Sequence, residues 1–466
     1  MAASRPEPRL AVSIPSPKGR ESDGIIDKAS FFGKSSGDDD ATSGPSPIGD
    51  DKLSVWIPTK LRPVPAFYPL EKSSRLVDDD LSNVTTRISE CLRLLSVQAI
   101  YNNETATAAL MTGENVEMHL SLWKTSGGKF PEGIVVELQR RKGCSITFHR
   151  YSRHILDAAM GDFDFEKYSN KAGEGIERAY SRMVERLLCR DSGKTPESEF
   201  ENAIIAVEIA HGLLMKDRMD ARQLGLESLC LLTDPQKTGV TTAVIASRVV
   251  LLGTAQVADR DEGMIYDEAP FHEVRETILS LVQLRRIGDE EEFSEDDNDS
   301  DRHLNDTLSD EMEGHPEEKE HISILHNLAL AVMANALNVI ENYDEYDANP
   351  EETDKKVAAH GATSSSTIAN SFMKGAKDIT KLEILSTLIA ELGKAENNPH
   401  NACLSAKCLH SLFRASKDAR RRARELGAKN IINTALDVGV RTHAKLETEC
   451  KNVVKVLTET VNDDEE

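Results

Sequence analysis

The chain has 466 residues, a formal net charge of -23, 39% hydrophobic residues and only 5% aromatics. That length allows two or three domains and a core large enough to need no covalent staple. Seven unpaired-looking cysteines, an N-terminus without an apolar signal core, and no run of 18 apolar residues argue against a disulfide framework, a secretory signal and a membrane span.

Residues 1–65 are rich in Pro, Ser, Gly and Asp without apolar period and read as a disordered arm. Ser16 and Ser46 each precede a proline, a pattern that suits proline-directed kinases but recurs by chance. Over 70–162 the periodicity becomes informative. Leu81, Val84, Ile88, Cys91, Leu92 and Leu95 form one helical stripe, with Asp78 to Asp80 before it at the positive end of the helix dipole. "VQAIYNNE", "TATAALMTG", "NVEMHLSLWKT" and "GIVVELQRR" then alternate with period two, separated by Asn- and Gly-bearing turns. A second helix follows, with Phe148, Tyr151, Ile155 and Ala159 on one face. The expected unit is α+β: helix, four antiparallel strands, helix, with both helices on one side of the sheet.

Its last strand and helix carry a cationic run in an acidic protein. After Glu137 come Arg140, Arg141, Lys142, Arg150 and Arg153, with His149 and His154, and no acid before Asp157. If the helix lays its apolar face on the sheet, Arg150, Arg153 and His154 point outward and join Arg141 and Lys142. "ELQRRKGCSITFHRYSRHILDAA" resembles the closing motif of the kinase-associated C-terminal domain: a basic strand end, a Gly turn, an aromatic and a final amphipathic helix. The resemblance covers about 90 residues, and Cys144 stands where the family often has an acid. It implies the family's fold and an anionic-phospholipid surface, which would fall on Arg140, Arg141, Lys142, Arg150 and Arg153. Without the resemblance, the same charges read as a solvated, salt-bridged face.

From about 172 the pattern is helical throughout. Residues 172–287 form one helical set and 288–320 an acidic insert. A helix at 321–342, a polar linker at 343–378 and further helices at 379–460 complete the chain. The insert holds 16 acids against Arg302 and Lys319, which gives -14, so most of the chain's acidity belongs to a self-repelling segment with little to bury. "ARQLGLESLCLLT" (221–233) laid on "NACLSAKCLHSLF" (401–413) matches Leu224, Leu229 and Leu232 to Leu404, Leu409 and Leu412. The same offset of 180 brings "AIIAVEIAHGLLM" onto "EILSTLIAELGKA". "NACLSAKCLHSLFRASKDARRRARELGAKNIINTALDVG" resembles an armadillo repeat, with Gly427 as the tight turn between a short charged helix and the next. The resemblance implies a mainly α, armadillo-type α-solenoid that binds protein partners.

No catalytic constellation emerges. The chain lacks a phosphate loop, a nucleophile elbow and a His-Glu-x-x-His helix. His400, Cys403, Cys408 and His410 form the only local cluster of metal-ligand types, and their spacing suits Cys in a helix interface with His near solvent. Lys417, Arg420, Arg421, Arg422, Arg424 and Lys429 read as a solvated helix face. Trp56 and Trp123 both lie outside the helical region, which argues against the Trp ladder of nuclear import receptors. Asn335, Asn338 and Asn342 share a helical face that could bond an extended peptide.

The expectation is a non-catalytic scaffold with no cofactor, metal or small-molecule substrate. It would bind proteins through the solenoid and a peripheral anionic membrane through the basic module, with nucleic acid not an expected partner. The alternative is a nuclear protein whose acidic loop engages basic partners such as histones. The location follows the reading: cytoplasm or membrane periphery for the first, nucleus for the second.

Overall fold

The computed structural model describes residues 56–65, 73–125, 131–166, 196–255, 267–289, 316–342, 365–380 and 383–459. Most of the expected arm, residues 172–195, and most of the acidic insert lie outside them. The chain begins with β1 (Arg62–Pro63), β2 (Ser74–Val77), α1 (Leu81–Leu94), β3 (Gln98–Asn102), β4 (Thr107–Met111), β5 (Glu117–Thr125), β6 (Gly133–Lys142) and α2 (Ser145–Met160). The antiparallel order is β2-β6-β5-β4-β3, and β1 pairs in parallel with β5 at Trp123 and Lys124.

The alternation in the sequence is what builds this sheet. Met118, Leu120 and Leu122 of β5 share a face with Val136 and Leu138 of β6, against Val84, Ile88 and Leu92 of α1 and Phe148, Tyr151 and Ile155 of α2. Asp79 ties the helices together. Its carboxylate accepts from Asn83 and Arg87, which hold it down at about 2, and Arg87 also donates to the Ala159 carbonyl at the end of α2.

Two strands exceed the expected four. β2 extends the sheet beyond β6, and β1 lies within the segment expected to be a disordered arm. Trp56 is buried there and stacks on Tyr101 with ring centroids 5.3 Å apart, while Arg62 sits 4.5 Å over the Trp123 ring. Residues 56–65 therefore belong to the module. A two-residue strand beside prolines has no period to reveal it.

The remainder is helical: α3 (Pro196–Leu214), α4 (Met219–Leu232), α5 (Pro235–Thr238), α6 (Val240–Leu252), α7 (Ala269–Asp289), α8 (Pro316–Glu341), α9 (Ser365–Thr380), α10 (Ile384–Gly393), α11 (Pro399–Ala415), α12 (Lys417–Glu425), α13 (Ala428–Thr442) and α14 (Ala444–Glu459). Helices α4, α8, α11 and α14 touch in succession, and α3, α7, α10 and α13 do so as a second row. Asn327 pairs with Asn401 (2.7 Å), Asn335 with Lys407 (3.3 Å) and Glu341 with Arg414 (2.7 Å), so residue numbers rise together and α8 runs parallel to α11. Gly427 adopts φ +70°, the left-handed turn between α12 and α13 that its position suggested.

Helix α8 is the hub. Over Glu320–Glu341 it is long and apolar enough to cross a membrane, yet Val332, Met333 and Ala334 are fully buried against its neighbours. Its His326 donates from Nδ1 to the Leu281 carbonyl at 2.9 Å, and its Nε2 lies 3.5 Å from the buried Glu391. Burial pushes the Glu391 carboxyl up, but His326 and Lys394 outweigh it and hold it at about 2.

Helix α9 corrects the expected polar linker of 343–378. Ile368, Ala369, Phe372 and Ala376 recur at helical spacing and are buried against the stack. Its Ser, Thr and Lys residues dilute that stripe enough to hide it. We predict that Phe372→Ala lowers unfolding stability by about 3–5 kcal/mol in denaturant titration; a loss below about 1 kcal/mol would mean that α9 is not part of the core.

Candidate functional site

The basic run is divided by the backbone. Between β5 and β6 the register shifts, with Met118 opposite Arg140 but Glu117 opposite Lys142, so Arg141 is an extra residue. Arg140 stays with the α2 side and donates to the Gly143 carbonyl at 2.6 Å. Lys142 turns toward the open sheet face, where it pairs with Glu320 at the start of α8. Arg141 lies near enough to His119 that its charge, after burial, holds that imidazole below its usual value. The expected union of Arg141 and Lys142 with the α2 face is therefore not what the strand delivers.

On α2 itself Arg150 and Arg153 are exposed as expected. Arg150 bonds Glu114 at 2.7 Å, and Tyr151 donates to the other oxygen of the same carboxylate. Arg140, Arg141 and Arg153 make no ion pair among the described residues. His154 is a correction: it is half-buried, edge-on to Phe163 at 6.0 Å, and burial lowers its basicity. His149 remains exposed. The sequence reading overlooked Ile146, which is 72% exposed on the first turn of α2. It shares a face with Arg150 and Arg153 at i+4 and i+7, and Arg140 is held at the Gly143 carbonyl in the turn that leads into α2.

Gly143 makes the turn possible. Its φ is +92°, and a Cβ there would lie 2.6 Å from the Asn115 carbonyl oxygen and 2.8 Å from Val116 Cα.

The asparagine face is already engaged. Asn335 donates to the Cys230 carbonyl (3.4 Å) and accepts from Lys407, so it ties α4 and α11 to α8. Asn342 donates to Asn338. Apolar exposure lies elsewhere: Ile205 (52%) and Ile209 (62%) on α3, and Leu224 (51%) and Leu231 (45%) on α4.

The cationic helix α12 is largely tied down. Arg422 forms a two-point pair with Glu383 (2.8 and 3.0 Å) and reaches Glu425, Arg421 pairs with Asp418, and Arg420 donates to the Phe413 carbonyl. Glu383, Asp418, Arg421, Arg422 and Glu425 line a shallow cleft of about 270 Å³ with Lys374 and Lys377 of α9. Lys417, Arg424 and Lys429 are exposed.

The His/Cys cluster splits in another way. Cys408 is buried and Cys403 half-buried, and burial pushes both thiols up to about 12. His410 is half-buried on α11. His400, expected near solvent, is half-buried against the α+β module, where its Nε2 faces the Met111 carbonyl of β4 at 3.1 Å. No group of three metal-ligating side chains is found among the described residues.

Around His400 the module meets the helical stack through polar contacts. Gln98 donates to the Asn397 carbonyl (2.8 Å), Arg93 pairs with Glu447 (3.2 Å), and Ser96 Oγ accepts from the Lys445 amide (2.9 Å). The sequence held no signal for these contacts, which join residues some 300 or more apart.

Comparisons of the chain with family models, with curated proteins and with solved structures find no match.

We predict that Gly143→Ala costs about 1–3 kcal/mol of stability in thermal or denaturant unfolding, because the side chain needs both a left-handed backbone and space held by Asn115. A neutral substitution would contradict the account of the turn.

Proposed function

We propose that this chain is a non-catalytic scaffold: an armadillo-type α-solenoid that binds protein partners, joined to a kinase-associated-like module that docks on anionic phospholipid. The observation that carries the lipid reading is Ile146, an exposed aliphatic side chain on the leading turn of α2, with the exposed Arg150 and Arg153 on the same helical face and Arg140 on the turn before it. An apolar tip on the same helical face as arginines suits a bilayer interface, where the tip enters the acyl boundary and the guanidinium groups meet phosphate.

The magnitudes describe reversible docking. Each basic residue near an anionic leaflet contributes about 1 kcal/mol, and burying one isoleucine about 1.5–3 kcal/mol. Together they sum to roughly 4.5–6 kcal/mol, equivalent to weak binding between millimolar and micromolar. Glu114 offsets part of this through Arg150.

Support for the solenoid reading comes from the helix arrangement. The helices related by the offset of 180 hold corresponding places, α4 and α11 in one row and α3 and α10 in the other, and α8 runs parallel to α11. The partner surface we infer is the first layer, where Ile205, Ile209, Leu224 and Leu231 are exposed. The asparagine face is the poorer choice because Asn335 already bonds within the stack.

The test is co-sedimentation of the full chain with phosphatidylcholine vesicles, with and without phosphatidylserine. Binding is expected only to the anionic vesicles, weakening with salt. It should be lost in Arg140→Glu/Arg153→Glu and reduced about tenfold or more in Ile146→Asp. Wild-type protein that stays in the supernatant at low salt would overturn the lipid reading.

A further inference from the structure

Four imidazole nitrogens, between a backbone amide and a backbone carbonyl, form a directed chain at the junction of the module and the helical stack. The Leu446 amide donates to His443 Nδ1 at 3.1 Å. His443 Nε2 and His400 Nδ1 are 3.1 Å apart, and His400 Nε2 is 3.1 Å from the Met111 carbonyl oxygen. A backbone amide can only donate, so His443 Nδ1 must be the bare nitrogen. Its Nε2 then carries the hydrogen and donates to His400 Nδ1, and His400 Nε2 carries the hydrogen donated to Met111. One tautomer, with both rings neutral and protonated at Nε2, satisfies every position.

His443 also does the work of a helix cap. It immediately precedes α14, and its Nδ1 receives the third amide of that helix, the place usually filled by a Ser, Asn or Asp oxygen. Ser96 from the module receives the Lys445 amide beside it. The first turn of α14 is thus capped by one residue of its own chain segment and one of the module, and the same imidazole that caps it also supports the contact to β4.

We propose that this two-histidine relay is an acid-sensitive latch that holds the α+β module on the helical stack. A proton added to His443 would face the Leu446 amide, remove the cap and place a positive charge at the positive end of α14. A proton added to His400 Nδ1 would face the His443 N–H. Neither ring can become charged without opening the chain.

The surroundings favour the neutral state in sum. Lys445 from α14 repels a charge on either ring, while Glu114, from the β4–β5 turn, attracts one on His400 but is itself engaged by Arg150 and Tyr151. Arg93 of α1 and Glu447 of α14 face the junction as a pair, and Lys451 also holds Glu447. Burial sets both imidazoles below their ordinary value of 6.5, with Lys445 acting the same way on both and His400 on His443, so that His443 is lowered the further. A group depressed in the docked state stabilises docking above its free value and loses that contribution as pH falls below it. The undocked population therefore rises by up to about 10-fold per pH unit below about 6.5 for each histidine.

The test is amide exchange of the full chain at pH 7.5 and pH 5.0, corrected for intrinsic rates. Peptides over 107–113 and 443–450 are expected to lose protection at pH 5.0, well before the apolar cores. His443→Asn, which keeps a neutral cap acceptor, should hold its 443–450 protection at both values. Equal wild-type protection at both pH values, or the same loss in His443→Asn, would overturn the latch. Spectra of the ¹⁵N-histidine-labelled wild type supply a check that needs no variant: at pH 7.5 both rings should be neutral Nε2–H tautomers, and an Nδ1–H or charged ring would overturn the relay.

Discussion

The first turn of α14 is where two separate hydrophobic cores become one molecule. The module buries Trp56 through Ala159 in one apolar cluster, and the helices bury Ala203 through Leu457 in another. The two clusters do not merge. What joins them is a set of polar contacts: Ser96 on the Lys445 amide of α14, His400 on the Met111 carbonyl, Gln98 on the Asn397 carbonyl, and the pairs Arg93–Glu447 and Lys142–Glu320. Helix termini have unsatisfied amides whatever their sequence, so a neighbouring domain that caps them gains a binding site without needing an apolar patch. Each bond contributes only about 0.5–1.5 kcal/mol net, but losing one partner leaves a buried polar group alone, which costs more. Such a junction is specific, and while it is closed it couples the two cores into one cooperative unit.

The same economy of backbone features shapes the basic run. One extra residue in β6 and one left-handed glycine send Arg140 and Lys142 to different sides of the sheet. That division leaves Arg140 on the α2 side of the sheet, bonded to the Gly143 carbonyl before α2, and gives Lys142 to Glu320 on α8. The acid-free stretch therefore serves two purposes: part of it contacts the helical region, and part forms the exposed surface. A run of charge in sequence is not yet a patch in space.

Much of the architecture was legible in the sequence. Alternation in β5 and β6 and the stripes of α1 and α2 depend on local periodicity, and the apolar faces of α4, α8 and α11 are broad enough to read directly. Gly427 was legible because only its backbone freedom suits a turn between two helices. The failures have physical causes too. β1 is too short and proline-rich to show a period, and α9 dilutes its buried Ile368 and Phe372 among polar residues. The register shift at Arg141 leaves no composition signal, because a bulge changes the side on which residues fall without changing their types. His400 looked like a surface residue on α11, since nothing local indicates that β4 will cover it. Ile146 was passed over as one more apolar residue in an amphipathic helix, and only its exposure distinguishes it.

Both tryptophans, Trp56 and Trp123, belong to the module, whereas the helical region dominates the far-ultraviolet signal. Urea unfolding of the full chain at pH 7.5, followed by tryptophan fluorescence and by circular dichroism at 222 nm, therefore reports the two cores separately. If the polar junction couples them, the two transitions coincide in midpoint and slope. Two resolved transitions, with the fluorescence change complete while the helices remain folded, would contradict the claim that module and stack form one cooperative unit.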